Sequence, residues 1–167
     1  MGEKKFCHLH LHTEYSLLDG SGKVSKIIKR AKELGMDSIA ITDHGVMYGC
    51  VEFYKQAVDQ GIKPILGCEV YVASKSMYIK QVDKENSTNH LVLLVKNEVG
   101  YQNLMKIVSQ ASIDGFYYKP RVDHEYLKKH SEGIIALSAC LGGEVQSNIL
   151  KDNYDIEVYD KKLEKIY

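Results

Sequence analysis

The chain has 167 residues, enough for one domain with a substantial core. Its 22 basic and 22 acidic residues cancel, which excludes binding of nucleic acid by overall charge but leaves a local basic patch open. No run reaches the roughly 18 apolar residues of a membrane span, and the N-terminus lacks a signal-peptide pattern, so we expect a cytoplasmic protein without a membrane partner.

Hydrophobic periodicity predicts strands that alternate with helices along most of the chain. In chain order, the predicted elements are strand 6–11, helix 24–34, strand 38–42, helix 51–60, strand 63–66 with an extension over 70–73, strand 90–95, helix 99–111, helix 124–129 capped by Asp123, strand 133–138, helix 144–151 and helix 155–167. Gly67 is expected to turn the chain, and residues 74–89 and 114–121 are predicted loops. Strand 6–11 would place His8, His10 and His12 on one face.

This alternation predicts the fold class. Strands that alternate with helices form parallel βαβ units, so we expect an α/β fold. About five units fit in the chain, whereas a closed barrel of about eight units takes roughly 250 residues. We therefore expect residues 1–167 to form the N-terminal part of one barrel domain in a longer chain. An open barrel leaves an uncovered strand edge, which favours self-association of the fragment.

Residue types that bind metal ions cluster where the predicted strands end. The carboxyl ends of parallel strands meet at one edge, where barrel proteins place their reactive groups. The side chains in such positions are His10, His12, Asp19, His44, Glu69 and Cys140. Imidazole, carboxylate and thiolate groups hold zinc-like ions, and this set exceeds what one tetrahedral ion needs. The pattern therefore predicts a multinuclear site, of the kind that clamps a phosphate and activates a water for attack on phosphorus.

Several nearby residues have two interpretations. His8 lies deeper in the predicted first strand, so we expect a core residue rather than a ligand. Asp43 either binds a metal ion or orients a neighbouring histidine. His90 begins its strand, which is the wrong end in a parallel barrel, so the residues alone leave its role open. The three cysteines other than Cys140 are expected to be small buried side chains rather than disulfide partners.

Seven sequence stretches resemble one known family. They are H-L-H-L-H-T-E-Y-S-L-L-D-G, T-D-H-G, K-P-I-L-G-C-E, N-H-L-V-L-L-V-K-N, G-Y-Q-N-L, G-F-Y-Y-K-P-R-V-D and I-A-L-S-A-C-L-G-G-E. Together they cover most of the chain and resemble the PHP (polymerase and histidinol phosphatase) domain family. The G-Y-Q-N-L and Y-K-P-R-V-D stretches resemble the polymerase branch of that family in particular.

The resemblance implies a fold and a ligand set. The implied fold is a distorted (β/α)7 TIM-like barrel, incomplete here with about five βα units. Up to three divalent ions, Zn²⁺ or Mn²⁺ with Mg²⁺ or Fe²⁺ as alternatives, would lie at its mouth. By motif, the ligands carried over are His10, His12, Asp19, His44, Glu69, His90 and Cys140, the last at a position where other branches often have histidine. The family's final Asp-x-His pair has no counterpart up to Tyr167.

The resemblance also implies a function. It points to a metal-dependent phosphoesterase of the 3′–5′ exonuclease type in DNA replication, within a DNA-directed DNA polymerase, with DNA, other polymerase domains and replication subunits as partners. Lys119 and Arg121, in a tyrosine-rich loop, would contact phosphate or else simply pack the loop. The alternatives are a silent domain with a structural or docking role, or a stand-alone histidinol-phosphatase-like enzyme, which the polymerase-branch stretches argue against. Because two ligands are missing, we expect weak hydrolysis from this chain.

Overall fold

A computed structural model describes residues 6–81 and 88–150, and these form an α/β fold as predicted. The elements are α1 (Val24–Glu33), β1 (Ser38–Ile41), α2 (Cys50–Asp59), β2 (Lys63–Ala73), β3 (Thr88–Val95), α3 (Glu98–Ile113), β4 (Arg121–Val122), α4 (His124–Lys129), β5 (Ile134–Leu137) and α5 (Glu144–Leu150). The predicted helix 155–167 lies outside the described residues. Among the helices described, none combines the length and hydropathy that a membrane crossing requires.

The sheet is mixed rather than parallel. Its strand order is β1-β2-β3-β5, with β4 beside β2. Strand β2 runs parallel to β1 and β4, but β3 runs antiparallel to both β2 and β5, so the prediction of an all-parallel sheet is wrong. A parallel return needs a crossover, usually a helix, and the described part of the β2–β3 connection, residues 74–81, holds none. The chain therefore reverses and pairs β3 directly with β2.

Strand β2 is one continuous strand of 11 residues, so the predicted turn at Gly67 is wrong. Glycine serves a different purpose there. A Cβ at position 67 would lie 2.5 Å from the carbonyl oxygen of Leu93, so the missing side chain lets β3 approach β2 closely. The predicted loop 114–121 also ends differently, because Arg121 and Val122 pair with β2 as the short strand β4.

The predicted strand 6–11 is wrong, although this segment does lie beside β1. The carbonyl oxygens of His8 and Leu11 accept the N–H groups of Ala40 and Thr42, both at 2.9 Å. Between these two bonds β1 advances two residues and the segment advances three, so the regular alternation is broken. His8 therefore does not join the other two histidines. It is exposed and packs edge-on against Phe6, which contradicts the core position we expected.

Two apolar clusters fix the strands that carry the site. One packs α1 and α2 against β1, with Ile28, Ile41 and Phe53 fully buried. The other packs α3 against β2 and β3, and Val72 and Leu104 are among its buried members. Burying such side chains contributes about 1.5–3 kcal/mol each, so the strand ends are held by rigid cores on both sides.

Candidate metal centre

Glu69, in the middle of β2, is the centre of the histidine cluster. Its side chain is buried, and its Oε2 lies 2.5 Å from Nε2 of His10 and 3.0 Å from Nε2 of His12. Its Oε1 lies 2.6 Å from Nδ1 of His90. One buried carboxylate therefore faces three imidazole rings.

His90 reaches this cluster because β3 is antiparallel to β2. The register pairs Tyr71 with His90 and Glu69 with Val92, so Glu69 and His90 project from the same face of the sheet. The start of β3 thus lies beside the far end of β2. A histidine at the start of this strand would lie far from the rim in a parallel barrel, but in this antiparallel pair it lies at the rim.

His44 and Asp19 form the other side of the cluster. After β1 the chain continues along β2, where the Glu69 N–H donates to the carbonyl of Asp43 and the Gly45 N–H donates to the carbonyl of Glu69. His44 is placed between these bonds, with its Nε2 2.9 Å from Oδ2 of Asp19. The ring of His12 stacks on that of His44, with 4.1 Å between centroids.

Three overlapping groups of donors result. They are His10–His12–Glu69, His12–Asp19–His44 and His44–Glu69–His90, and within each group the ligand atoms lie within 4.8 Å of one another. Six of the seven predicted ligand positions therefore meet at one rim. Cys140 belongs to none of the groups found among the described residues, and lies at the edge, exposed, with its Sγ 3.6 Å from Nδ1 of His90.

The cluster shifts the pKa values of its own members. Burial raises the pKa of Glu69, but hydrogen bonds with His12, His90 and His10 outweigh it and hold the pKa well below its usual range. The hydrogen bond to Glu69 raises the pKa of His12 despite its burial. Burial, reinforced by the charge of His12, lowers the pKa of His44. Glu69 is therefore ionised at neutral pH, and His44 favours the neutral form that binds metal.

The donor set fits divalent ions. Imidazole nitrogens with carboxylate oxygens are ligands that suit Zn²⁺ and Mn²⁺. Within the described residues, Nδ1 of His12 and Nδ1 of His44 are buried without a hydrogen-bond partner. An unsatisfied buried polar atom costs about 1–3 kcal/mol, and a lone pair given to an ion removes that cost.

The two predicted phosphate contacts have different surroundings. Lys119 is exposed at the rim, with its Nζ 4.4 Å from the ring centroid of Tyr71, whose ring in turn stacks on His44. Arg121 is only 2% exposed, and its guanidinium donates to the carbonyls of Gly115, Met77 and Ile79. With its guanidinium buried and bonded to three loop carbonyls, Arg121 stabilises the loop, and its contact with phosphate stays a prediction.

Sequence reasoning missed the hydroxyl residues that support the cluster. Thr13, Ser16 and Thr42 are all buried within the ligand-bearing stretches. The hydroxyl of Thr42 donates to the carbonyl of Leu11 and accepts its N–H, which fastens the histidine segment to the end of β1. Buried Ser and Thr beside metal-binding motifs were the available signal, but a sequence does not reveal which hydroxyls are buried.

Comparison with known proteins identifies the family. Residues 8–167 match the family model described as PHP domain. The chain belongs to the PHP domain family. The resemblance of the seven stretches is thus confirmed. The PHP domain is also 49% identical over 152 residues to the DNA polymerase III subunit alpha of Borreliella burgdorferi, and 48% identical over 161 residues to that of Thermus aquaticus.

These matches cover 90% and 93% of the chain but only 13% of each polymerase subunit, so the chain spans about an eighth of the relatives' length. Among solved structures, an amidohydrolase from Chromobacterium violaceum matches with a TM-score of 0.46 and 26% identity. That match covers 63% of this chain and 32% of the amidohydrolase.

Proposed function

We propose that this PHP domain is a multinuclear, metal-dependent phosphodiesterase that removes nucleotides from the 3′ end of DNA within a replicative polymerase. The observation that supports the proposal is Glu69, a buried carboxylate shared by two of the three donor groups. A shared carboxylate places two ions side by side, and paired ions are typical of enzymes that cleave phosphodiesters. Homology to DNA polymerase III alpha subunits supports DNA as the substrate and polymerase domains as partners.

Each side chain has a role in this proposal. His10, His12 and Glu69 would hold one ion and His44, His90 and the shared Glu69 a second, while Asp19 beside His44 and Cys140 beside His90 would add further donors. Bound ions of this kind supply Lewis acidity to a phosphoryl oxygen and lower the pKa of a coordinated water. Lys119, exposed beside Tyr71, adds a positive charge at the rim that attracts a phosphodiester.

A hydrolysis assay tests the proposal. The purified chain is freed of metal with a chelator, supplied with Mn²⁺ or Zn²⁺, and mixed with 5′-labelled single-stranded DNA. We expect slow shortening from the 3′ end with metal and none without it, and no activity in the variant Glu69→Gln. Histidinol phosphate serves as a comparison substrate, and its preferential hydrolysis would contradict the proposal. Metal binding without any hydrolysis would instead favour a silent domain.

One observation favours the structural or docking alternative. The outer face of α2 exposes Val51, Tyr54 and Val58, which are spaced to form one apolar stripe. Tyr54 also lines a cavity of about 400 Å³ that continues towards Tyr101 on α3. An apolar surface of this kind is typical of a face that packs on another domain. The two roles are compatible, because this face is formed by residues outside the donor groups.

A further inference from the structure

Asp43 is a buried carboxylate beside the metal centre that belongs to none of the donor groups in the described chain. Its Oδ1 accepts the backbone N–H of Thr13 at 2.6 Å and the hydroxyl of Ser16 at 2.7 Å. Its Oδ2 accepts the hydroxyl of Thr13 at 2.8 Å. All three donors come from the loop that carries His12 and Asp19.

The backbone around Asp43 holds the other half of the site. Its own carbonyl accepts the N–H of Glu69 at 3.0 Å. The next residue, His44, donates its N–H to the same Ser16 hydroxyl that Asp43 binds, at 3.1 Å. One residue therefore connects the loop after the first histidines to the end of β1 and the middle of β2.

The 13–20 loop is tightly folded, so any shift of this loop would change its hydrogen bonds to Asp43. The N–H of Ser16 donates to the carbonyl of Thr13, and the N–H of Gly20 donates to the carbonyl of Ser16. A Cβ on Gly20 would lie 2.0 Å from the carbonyl oxygen of Thr13, so the turn closes on itself. Asp43 thus anchors a compact turn rather than an extended segment.

We propose that Asp43 is a positioning residue that sets the spacing of the His12–Asp19–His44 donor group by anchoring the 13–20 loop to β1 and β2. This inference rests on the proposed metal centre. It replaces both interpretations open at the level of sequence, because Asp43 acts on backbone and hydroxyl groups rather than on an ion or an imidazole ring. Outer hydrogen-bond partners of metal ligands typically change metal affinity by about 10- to 100-fold.

The chain offers a matched control in Asp123. This carboxylate is also buried, caps α4 by accepting the N–H of Tyr126 at 2.9 Å, and accepts the N–H of Met77 at 3.1 Å. Among the described residues, its side chain accepts hydrogen bonds from Ser76, Met77 and Tyr126, and none of these belongs to a donor group. The variants Asp43→Asn and Asp123→Asn each turn one accepting oxygen of a buried carboxylate into a donating amide, so their general effect on folding is comparable.

The experiment titrates each variant with Co²⁺, whose visible absorption reports the number and geometry of bound ions. We expect Asp43→Asn to bind its weakest Co²⁺ about 10- to 100-fold less tightly, with a changed spectrum, while Asp123→Asn matches the wild type. Without metal, hydrogen exchange of the Thr13 and His44 amides should accelerate in Asp43→Asn alone. Ser16→Ala, which removes one hydroxyl, should give a smaller effect of the same kind and serves if Asp43→Asn does not fold.

The outcomes separate this inference from the proposed function. Equal Co²⁺ binding by Asp43→Asn and Asp123→Asn, with unchanged exchange at Thr13 and His44, would overturn the inference. A wild-type chain that binds Co²⁺ but hydrolyses no phosphodiester would overturn the proposed function and leave Asp43 as the positioning residue of a silent metal site. A wild-type chain that binds no Co²⁺ would overturn both.

Discussion

Substitution of Arg121 tests whether this residue stabilises the fold or binds phosphate. Its guanidinium donates to the carbonyls of Gly115, Met77 and Ile79 at 3.1, 3.0 and 2.9 Å. A hydrogen bond from a charged group contributes about 1.5–3 kcal/mol, so loss of all three costs about 4.5–9 kcal/mol. That approaches the whole free energy of unfolding of a typical domain, about 5–15 kcal/mol. We therefore expect Arg121→Met to leave little folded protein.

Arg121→Lys is the more informative variant. It keeps the charge but replaces the planar fork with a single ammonium group. The bonds to Met77 and Ile79 both start from one guanidinium nitrogen, so an ammonium placed there keeps at most these two and loses the bond to Gly115. Loss of the bond to Gly115 should lower the free energy of unfolding by about 1.5–3 kcal/mol. The chain has 12 tyrosines and no tryptophan, so urea unfolding is followed by far-ultraviolet circular dichroism and tyrosine fluorescence.

Lys119→Ala is the control on the same loop. Lys119 is exposed over the ring of Tyr71, and an exposed contact of this type contributes only about 0.5–1 kcal/mol. This variant should keep its stability and instead weaken binding of DNA. If Arg121→Lys unfolds within about 0.5 kcal/mol of the wild type but binds DNA less tightly, Arg121 contacts phosphate and the structural argument is refuted.

Two further predictions concern the site and the cysteines. Glu69→Gln removes the carboxylate shared by two donor groups, so isothermal titration with Zn²⁺ should find fewer bound ions, and an unchanged number would contradict its central role. Burial raises the pKa of Cys50 to about 12 and that of Cys68 well above its ordinary value, so iodoacetamide at pH 8 should modify neither thiol and should label the exposed Cys140. Mass spectrometry measures the labelling, and Zn²⁺ should protect Cys140. If Cys140 is labelled equally with and without Zn²⁺, Cys140 is excluded as a ligand.

The helices could be predicted because their signals are local. An apolar stripe in α1 places Val24, Ile28 and Ala31 in the core, and the structure ends that helix one residue before the predicted end. Asp123 caps α4 with its side chain, as the residue type indicates. Both signals depend only on neighbours within about one helical turn.

Strand direction could not be predicted, because it is not local. The apolar run at 90–95 has the same pattern whichever way the strand points. The error at 6–11 has a similar origin, since alternation indicates an extended chain but not whether its hydrogen bonds form a regular ladder. Gly67 was misplaced because a close approach between two strands and a turn both favour glycine.

The metal ligands could be predicted because histidine and carboxylate side chains rarely cluster so densely for any purpose other than metal binding. Histidines and carboxylates at several strand ends point to metal without any knowledge of the sheet. The supporting network is different. Thr13, Ser16 and Asp43 become meaningful only once the loop and the end of β1 are known to meet.

Because β3 runs antiparallel to β2, the cluster around Glu69 gains His90 on the side of β3. In an all-parallel sheet His90 would begin its strand at the opposite edge, and five residues at about 3.3 Å each would place it some 17 Å from the rim. With β3 reversed, its first residues pair with the last residues of β2, and Nδ1 of His90 lies 2.6 Å from Glu69. Strand β5 runs in the same direction as β2, so the loop after it reaches this rim as it would in a parallel sheet. There the His90 N–H donates to the carbonyl of Gly142, and Cys140 lies next to the ring of His90. The reversal of β3 therefore delivers a histidine that an all-parallel sheet would leave at the opposite edge, next to a thiol that β5 delivers in either case.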